Sequence, residues 1–389
     1  MEELFEHMRR RLSDLPEGLV RQTQPAIDWN CHMLGLVGPR GVGKTTLFLQ
    51  HIKCDLANDN ALYVTADHLY FSTHTLFEVA ERFCVEGGHH LLIDEVHTYE
   101  CWSKELKAIC DSFPDLQVCF TGSSVLDIAK GVSDLSRRAP IFRMHGLSFR
   151  EFLLLRHGIA APLLSLDEVL TDEVEIEGVT HPLPLFHEYL KSGYYPFGSD
   201  PAFDLELSQV VDRTLGIDIP LYCNMTAATS RKLKRLLAIV STLTPFKPNM
   251  VSLASQIQVS RNNVADYLCH LERAGLIAQL RSGAGGLGAL AKTEKVYLDN
   301  TNLLYCLAAE NVDIGTVRET FFFNQLRFAH DITSSAVADF ECEGATFEIG
   351  GRSKGANQLK DAECGYVVKD GIEHGHGNVR ALWEFGLLY

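Results

Sequence analysis

Gly38-Pro39-Arg40-Gly41-Val42-Gly43-Lys44-Thr45 is a glycine-spaced loop that closes on a lysine and a hydroxyl residue, with Thr46 next. Before it, Cys31-His32-Met33-Leu34-Gly35-Leu36-Val37 is a short apolar run that reads as a buried strand. After it, Thr45-Thr46-Leu47-Phe48-Leu49-Gln50-His51-Ile52 reads as a helix. Strand, glycine loop and helix in that order form the context in which such a loop holds nucleotide phosphates. Glycines let backbone N–H groups close around phosphate oxygens, and the helix N-terminus adds partial positive charge. Lys44 is expected at the β- and γ-phosphates of ATP, and the Thr45 hydroxyl at Mg²⁺. The whole run from Gly38 to Thr46 is the expected nucleotide cradle: Gly38, Pro39, Arg40, Gly41, Val42, Gly43, Lys44, Thr45 and Thr46.

Working outward, Ala61-Leu62-Tyr63-Val64-Thr65 is a second strand, and Leu91-Leu92-Ile93 a third that runs into Asp94-Glu95. An apolar strand ending in adjacent carboxylates is weakly specific alone. About 50 residues beyond the loop lysine it becomes a Walker B arrangement. Asp94 is then expected to hold Mg²⁺ through water, and Glu95 to orient and polarise the attacking water. Gln117–Phe120 is a fourth strand ending in Thr121-Gly122-Ser123-Ser124, which makes Ser123 a candidate γ-phosphate sensor, with a plain helix cap as the other reading. Ile141–Met144 is a fifth strand, preceded by Leu135-Ser136-Arg137-Arg138. Arg137 or Arg138 is either an arginine finger reaching a neighbouring subunit in a homo-oligomer, or a solvated or internally salt-bridged arginine.

Composition bounds the class. The chain has 389 residues, 46% apolar and 22% charged, as in soluble globular proteins. The acidic start Met1-Glu2-Glu3 and the lack of an apolar run near ~20 residues argue against a signal peptide and a membrane span, and for the cytoplasm. Eleven cysteines without a CxxC pair read as reduced thiols. The net charge of −15 argues against indiscriminate nucleic-acid binding. The charge is uneven, however. Residues 151–230 carry three Lys/Arg against thirteen Asp/Glu, and residues 231–298 carry ten against three. Contact with double-stranded DNA is therefore to be sought in 231–298.

The sequence resembles the prokaryotic AAA-like P-loop ATPases that carry a fused C-terminal domain of unknown function. The resemblance rests on GPRGVGKTT (38–46), LLIDEVH (91–97), TGSS (121–124), SRRA (136–139) and GLSFREFL (146–153). It continues through ETFFFNQL (319–326), ADF (338–340), FEIGGRSK (347–354) and LWEFGLLY (382–389). The resemblance implies an α/β fold: a P-loop NTPase parallel sheet with an additional strand and a helical lid, then a winged helix, then a small α/β domain similar to PD-(D/E)XK nucleases. The corresponding bounds are 1–155, 156–230, 231–312 and 313–389. Similar proteins have Gly-Arg before the alanine of SRRA. Here Arg137 replaces that glycine, so Arg138 aligns with the family arginine.

In the second half, Leu253–Ile257 and a helix capped by Ser260 read as the helix pair of the winged helix, with wing strands at Ile277–Leu280 and Lys295–Leu298 around the loop 282–288. Arg261 and Asn262, early in the second helix, suit DNA contact, though such domains also serve as packing units. Farther on, Glu319, Asp339 and Glu348 are candidates to converge on a metal for phosphodiester hydrolysis. Nucleases of this type place lysine two residues after the glutamate. Here that place is Gly350, and Lys354 reaches the carboxylates only if its loop folds back. Three functions follow: an ATPase moving a DNA- or protein-contacting C-terminal half, a nucleotide-gated nuclease, or an interaction protein with ATP as structural ligand. Glu95 speaks against the third, and Gly350 against the second.

Overall fold

The computed structural model describes all residues except 16–20, 22–26, 57–59, 123–134, 136–137, 172–173, 224, 284–291, 309–311 and 361, and the side chain of Tyr222. The chain divides into two compact units, Met1–Gly146 and Leu147–Tyr389.

The first unit is built on five parallel strands: β1 (Met33–Val37), β2 (Ala61–Thr65), β3 (His90–Asp94), β4 (Gln117–Gly122) and β5 (Ile141–Arg143), in the order β2-β3-β4-β1-β5. This is the α/β sheet of a P-loop NTPase, with β4 inserted between the loop strand and the Asp94 strand. The inner strands read as unbroken apolar runs because a parallel sheet is covered on both faces. All five residues of β1 are buried. Helices α1 (Glu2–Ser13), α2 (Lys44–Cys54), α3 (Leu76–Val85) and α4 (Trp102–Ser112) accompany the sheet. Thr75 and Glu78 close a capping box on α3. In the register, Leu36 pairs with Thr121 and Ile93 with Phe120. The C-terminal ends of β1, β3 and β4 therefore lie side by side, which is the edge where ligands bind in such sheets.

The second unit begins with α5 (Phe149–His157), which the sequence reading assigned to the ATPase core. Its Phe149 and Phe152 pack edge-on against Tyr189 of α6 (Pro182–Ser192) at 5.6 and 5.5 Å between ring centres, which explains where the division falls. The helix pair appears as α7 (Met250–Ile257) and α8 (Arg261–Arg273), followed by an antiparallel hairpin, β6 (Ile277–Arg281) and β7 (Thr293–Leu298). Most of the expected wing loop lies outside the described residues. Ser260 caps α8 by accepting from the Asn263 N–H at 3.2 Å. Helix α9 (Ile314–Leu326) then lies on a mixed five-stranded sheet of β8 (Ile332–Ser334), β9 (Phe340–Cys342), β10 (Ala345–Gly350), β11 (Gly365–Lys369) and β12 (Val379–Ala381), in sequence order across the sheet. Phe322 anchors that packing against Phe340, Phe347 and Phe385, with ring centres 4.8–5.3 Å apart. Truncating so buried a ring costs about 3–5 kcal/mol. Among the described residues no helix is long and apolar enough to cross a membrane.

Candidate functional site

The loop after β1 turns into α2 through Gly41 and Gly43, whose φ values of 85° and 97° lie in the left-handed region that favours glycine. Lys44, the first residue of α2, is 5% exposed, and its ammonium donates to the carbonyls of Gly38 at 2.9 Å and Pro39 at 2.8 Å. The loop thus curls around its own lysine. Thr45 follows and donates its hydroxyl to Asp94 Oδ2 at 2.6 Å. Thr46 is exposed on the first turn of α2.

Asp94, at the end of β3, is 2% exposed and gathers donors from two neighbouring strands, from helix α2 and from the residue that follows it. Besides Thr45, it accepts from the Tyr63 hydroxyl at 2.9 Å, from the Thr121 hydroxyl, and from the Glu95 N–H at 3.1 Å. A buried carboxylate is tolerable only when so satisfied, and bonds to an ionised acceptor are about twice as strong as neutral ones. Burial and the Asp94 charge beside it hold the Tyr63 hydroxyl well above its ordinary pKa, so it remains a donor. Thr45 and Asp94 present adjacent hard oxygen donors, the set that suits a small divalent cation such as Mg²⁺.

Glu95 has φ 52° and ψ 39°, left-handed for a residue with a side chain. Its N–H also donates to the Thr121 hydroxyl at 3.1 Å. Its carboxylate lies 3.1 Å from His97 Nε2 and 3.9 Å from an Arg40 guanidinium nitrogen. Arg40 is thus both a loop residue and a partner of Glu95.

Other expectations fare differently. Ser123 and Arg137 lie outside the described residues. At the end of β4, the Thr121 hydroxyl donates to Asp94. Arg138 makes a two-bond pair with Asp111 of α4 at 3.0 and 3.2 Å. Arg21 was missed entirely. It is 5% exposed and donates to the carbonyls of Val42 at 2.9 Å, His145 at 2.8 Å and Gly146 at 3.0 Å, fastening the phosphate loop to the chain beyond β5. A lone arginine before the first strand carries no local signal for such a role.

In the second unit, Arg261 and Asn262 are exposed at the N-terminal end of α8. Arg261, Lys247 and Lys292 line a groove of about 650 Å³ with Asn249 and Thr293. Glu319 lies on α9, Asp339 just before β9 and Glu348 on β10. Lys354 was expected to reach the carboxylates only if its loop folds back; the chain does fold back, and the ammonium pairs with Glu348. A Cβ at Gly350 would lie 2.5 Å from Lys354 Cγ, so the glycine makes room for the returning side chain. A second lysine, Lys295 of β7, bridges Glu319 at 3.1 Å and Asp339 at 3.4 Å, and the Tyr297 hydroxyl donates to Glu319 at 2.7 Å. Burial alone would lower the Lys295 pKa, but the two carboxylates outweigh it and raise it. Burial raises the Glu348 carboxyl; Lys354 opposes this, while Asp339 and Glu319 add to it.

Residues 30–153 match the AAA domain family. This stretch is therefore a P-loop, AAA-like ATPase domain, and the match supports nucleotide binding and hydrolysis. Residues 184–313, which include the helix pair and the hairpin, match a domain of unknown function (DUF8612). A search of curated proteins found no match. Solved structures that resemble the chain include the S. cerevisiae Hsp104:casein complex in its extended conformation, at 15% identity over 73% of this chain and 55% of that one, with a TM-score of 0.33. The chain thus spans about half the length of that relative. Others are a structure on katanin self-assembly, at 13% identity over 68% of this chain and 81% of that one, TM-score 0.28, and C. elegans PCH-2, at 18% over 55% and 67%, TM-score 0.27. At these TM-scores they say nothing further about this chain.

Proposed function

We propose that this protein is a Mg²⁺-dependent ATPase whose nucleotide state acts on a C-terminal half that contacts duplex DNA. The observation that carries the ATPase reading is the 2.6 Å bond between Thr45 and Asp94, flanked by Lys44 on one side and Glu95 on the other. Thr45 and Asp94 would hold Mg²⁺, which when bound offsets the charge developing on the β- and γ-phosphates. Lys44 has to exchange its two carbonyl acceptors for phosphate oxygens, which are charged and make stronger bonds. Glu95 accepts a proton from the attacking water, or orients that water. A homo-oligomer with Arg138 acting on the neighbouring site belongs to the same reading.

For DNA, α7, α8 and the β6–β7 hairpin are read as a winged helix. Arg261 and Asn262 face solvent where a recognition helix meets base edges and phosphates, and Lys247 and Lys292, both paired with Glu294, lie along the same groove. The test is phosphate release with ATP, with and without Mg²⁺ and duplex DNA. Release that requires Mg²⁺ and responds to DNA supports the reading; no release under any condition overturns it.

A nucleotide-gated nuclease is the second reading, favoured by the return of Lys354 to Glu348. Its difficulty is Lys295, whose charge already occupies the ground between Glu319 and Asp339.

A further inference from the structure

We infer that His97 is the positioning residue for Glu95, and that its Nε2–H holds the carboxylate in line for the attacking water. This rests on the ATPase reading above and extends it to a residue outside the phosphate loop and the Walker carboxylates.

A non-glycine residue in the left-handed region costs about 1–2 kcal/mol, and such strain persists where the surroundings over-determine it. Glu95 is fixed on both sides. Its N–H donates to Asp94 and Thr121, and its carbonyl accepts from the Thr98 N–H at 2.9 Å and the Thr98 hydroxyl at 2.8 Å. The sharp turn, continued by the 3-10 turn Val96–Thr98, brings residue 97 back against residue 95. On a regular helix, side chains two apart do not face each other. The strain therefore has a product, the 3.1 Å contact between His97 Nε2 and Glu95 Oε2.

Chemistry gives the contact its direction. An ionised carboxylate only accepts, so Nε2 carries the hydrogen. The His97 side chain is 2% exposed and so held by packing rather than by solvent. Arg40 touches the same Oε2, but at 3.9 Å, the outer edge of an ion pair. Arg40 also belongs to the phosphate loop, where bound triphosphate supplies a stronger anionic partner. Once ATP is seated, the His97 contact at 3.1 Å stays with the Glu95 carboxylate. With its backbone already locked, the side-chain torsions are the remaining freedom of Glu95, and a base must be held to within about 0.5 Å to be effective.

The experiment uses full-length protein, ATP and Mg²⁺, with steady-state phosphate release and calorimetric ATP affinity read side by side. His97→Leu is expected to lower kcat by roughly 10–100-fold, as loss of an outer supporting contact does, with ATP affinity within about twofold of wild type. His97→Gln places an amide N–H near the position of Nε2 and is expected to restore most of kcat. His97→Asn, whose shorter amide falls near Nδ1, is expected to behave like leucine. A folded His97→Leu protein with wild-type kcat overturns the inference, as does glutamine no better than asparagine. If the leucine variant fails to fold, the glutamine–asparagine comparison decides alone. Glu95→Gln in the same assay separates the two levels of argument. If it turns over like wild type, the role given to Glu95 is wrong and this inference falls with it. If it is inactive while His97→Leu is fully active, only the positioning role falls.

Discussion

The Thr45 hydroxyl, on the first turn of the helix after the phosphate loop, donates to Asp94 Oδ2 at 2.6 Å across 49 residues of sequence. That bond joins the loop proposed to hold phosphate to the strand end whose carboxylates are proposed to act on it. On that reading binding and chemistry are separable within one site.

Lys44→Ala is expected to abolish or greatly weaken ATP binding, because it removes the buried ammonium around which the loop curls. Glu95→Gln is expected to keep ATP bound while slowing hydrolysis by roughly 10²-fold or more, the scale of a lost positioned base. Calorimetry and phosphate release read the two variants together. Unchanged affinity in the first, or intact turnover in the second, removes that residue from its role.

Arg138 is bonded to Asp111, with the arginine side chain one-third and the aspartate one-half exposed. Exposed pairs of this kind contribute only about 0.2–1 kcal/mol, so the arginine is readily given up to a better anion. If that anion is a neighbour's γ-phosphate, ATPase rate per subunit rises with protein concentration, and Arg138→Ala removes the rise. A rate independent of concentration in a sample shown to be monomeric counts against it.

Duplex DNA affinity should fall steeply with salt, since each phosphate neutralised releases counterion. Arg261→Ala is expected to weaken binding and reduce the slope of log affinity against log salt by about one unit. An unchanged slope moves the contact away from the end of α8.

Glu384 gives a stability prediction. It is 3% exposed, and burial pushes its carboxyl up to about 7, against the pull of the Ala381 and Gly375 N–H groups and of Arg380. A raised carboxylate binds its proton more tightly folded than unfolded, so stability falls as pH rises from the unfolded value to about 7. The loss is on the order of 3 kcal/mol. Glutamine keeps the acceptor and cannot ionise. Glu384→Gln should therefore gain melting temperature over wild type at pH 8 and little at pH 5. An equal offset at both pH values rejects the assignment.

Much of this was legible in the sequence because it is local. The phosphate loop, the apolar strands and the Ser260 cap each follow from neighbours a few residues apart. The partners of Asp94 were half legible: Thr121 stood in a quoted motif, but which hydroxyl turns inward depends on strand register, set by β1 and β3. Arg21, His97 and Lys295 were not legible. Arg21 and Lys295 make their contacts across long stretches of chain, and His97 makes its own only because Glu95 adopts a left-handed backbone that no propensity scale anticipates. Lys354 was legible only as a condition, a loop that folds back. Gly350, read as a missing side chain, is the space the returning lysine fills.

The last prediction is that the C-terminal carboxylates do not cut DNA, and the structure changes the reason. The chemistry requires metal ligands, a water activator, and a cation for the charge developing on phosphorus. The third requirement is met, since Lys354 stands at Glu348. The first is where the site fails. Lys295 lies between Glu319 and Asp339, and Tyr297 adds a neutral donor to Glu319. Asp339 also spends an oxygen on the Ile349 N–H at 2.9 Å. A divalent cation would have to displace an ammonium whose raised pKa keeps it charged across the neutral range. No nicking of supercoiled plasmid is therefore expected with Mg²⁺ or Mn²⁺, with or without ATP. Lys295→Ala removes the competing charge, and Mn²⁺ binding by calorimetry should be tighter in that variant than in wild type. Wild-type nicking that disappears in Glu348→Ala and persists in Lys44→Ala would promote the nuclease reading. Equal Mn²⁺ affinity with and without Lys295 would show that the lysine is not what excludes the metal.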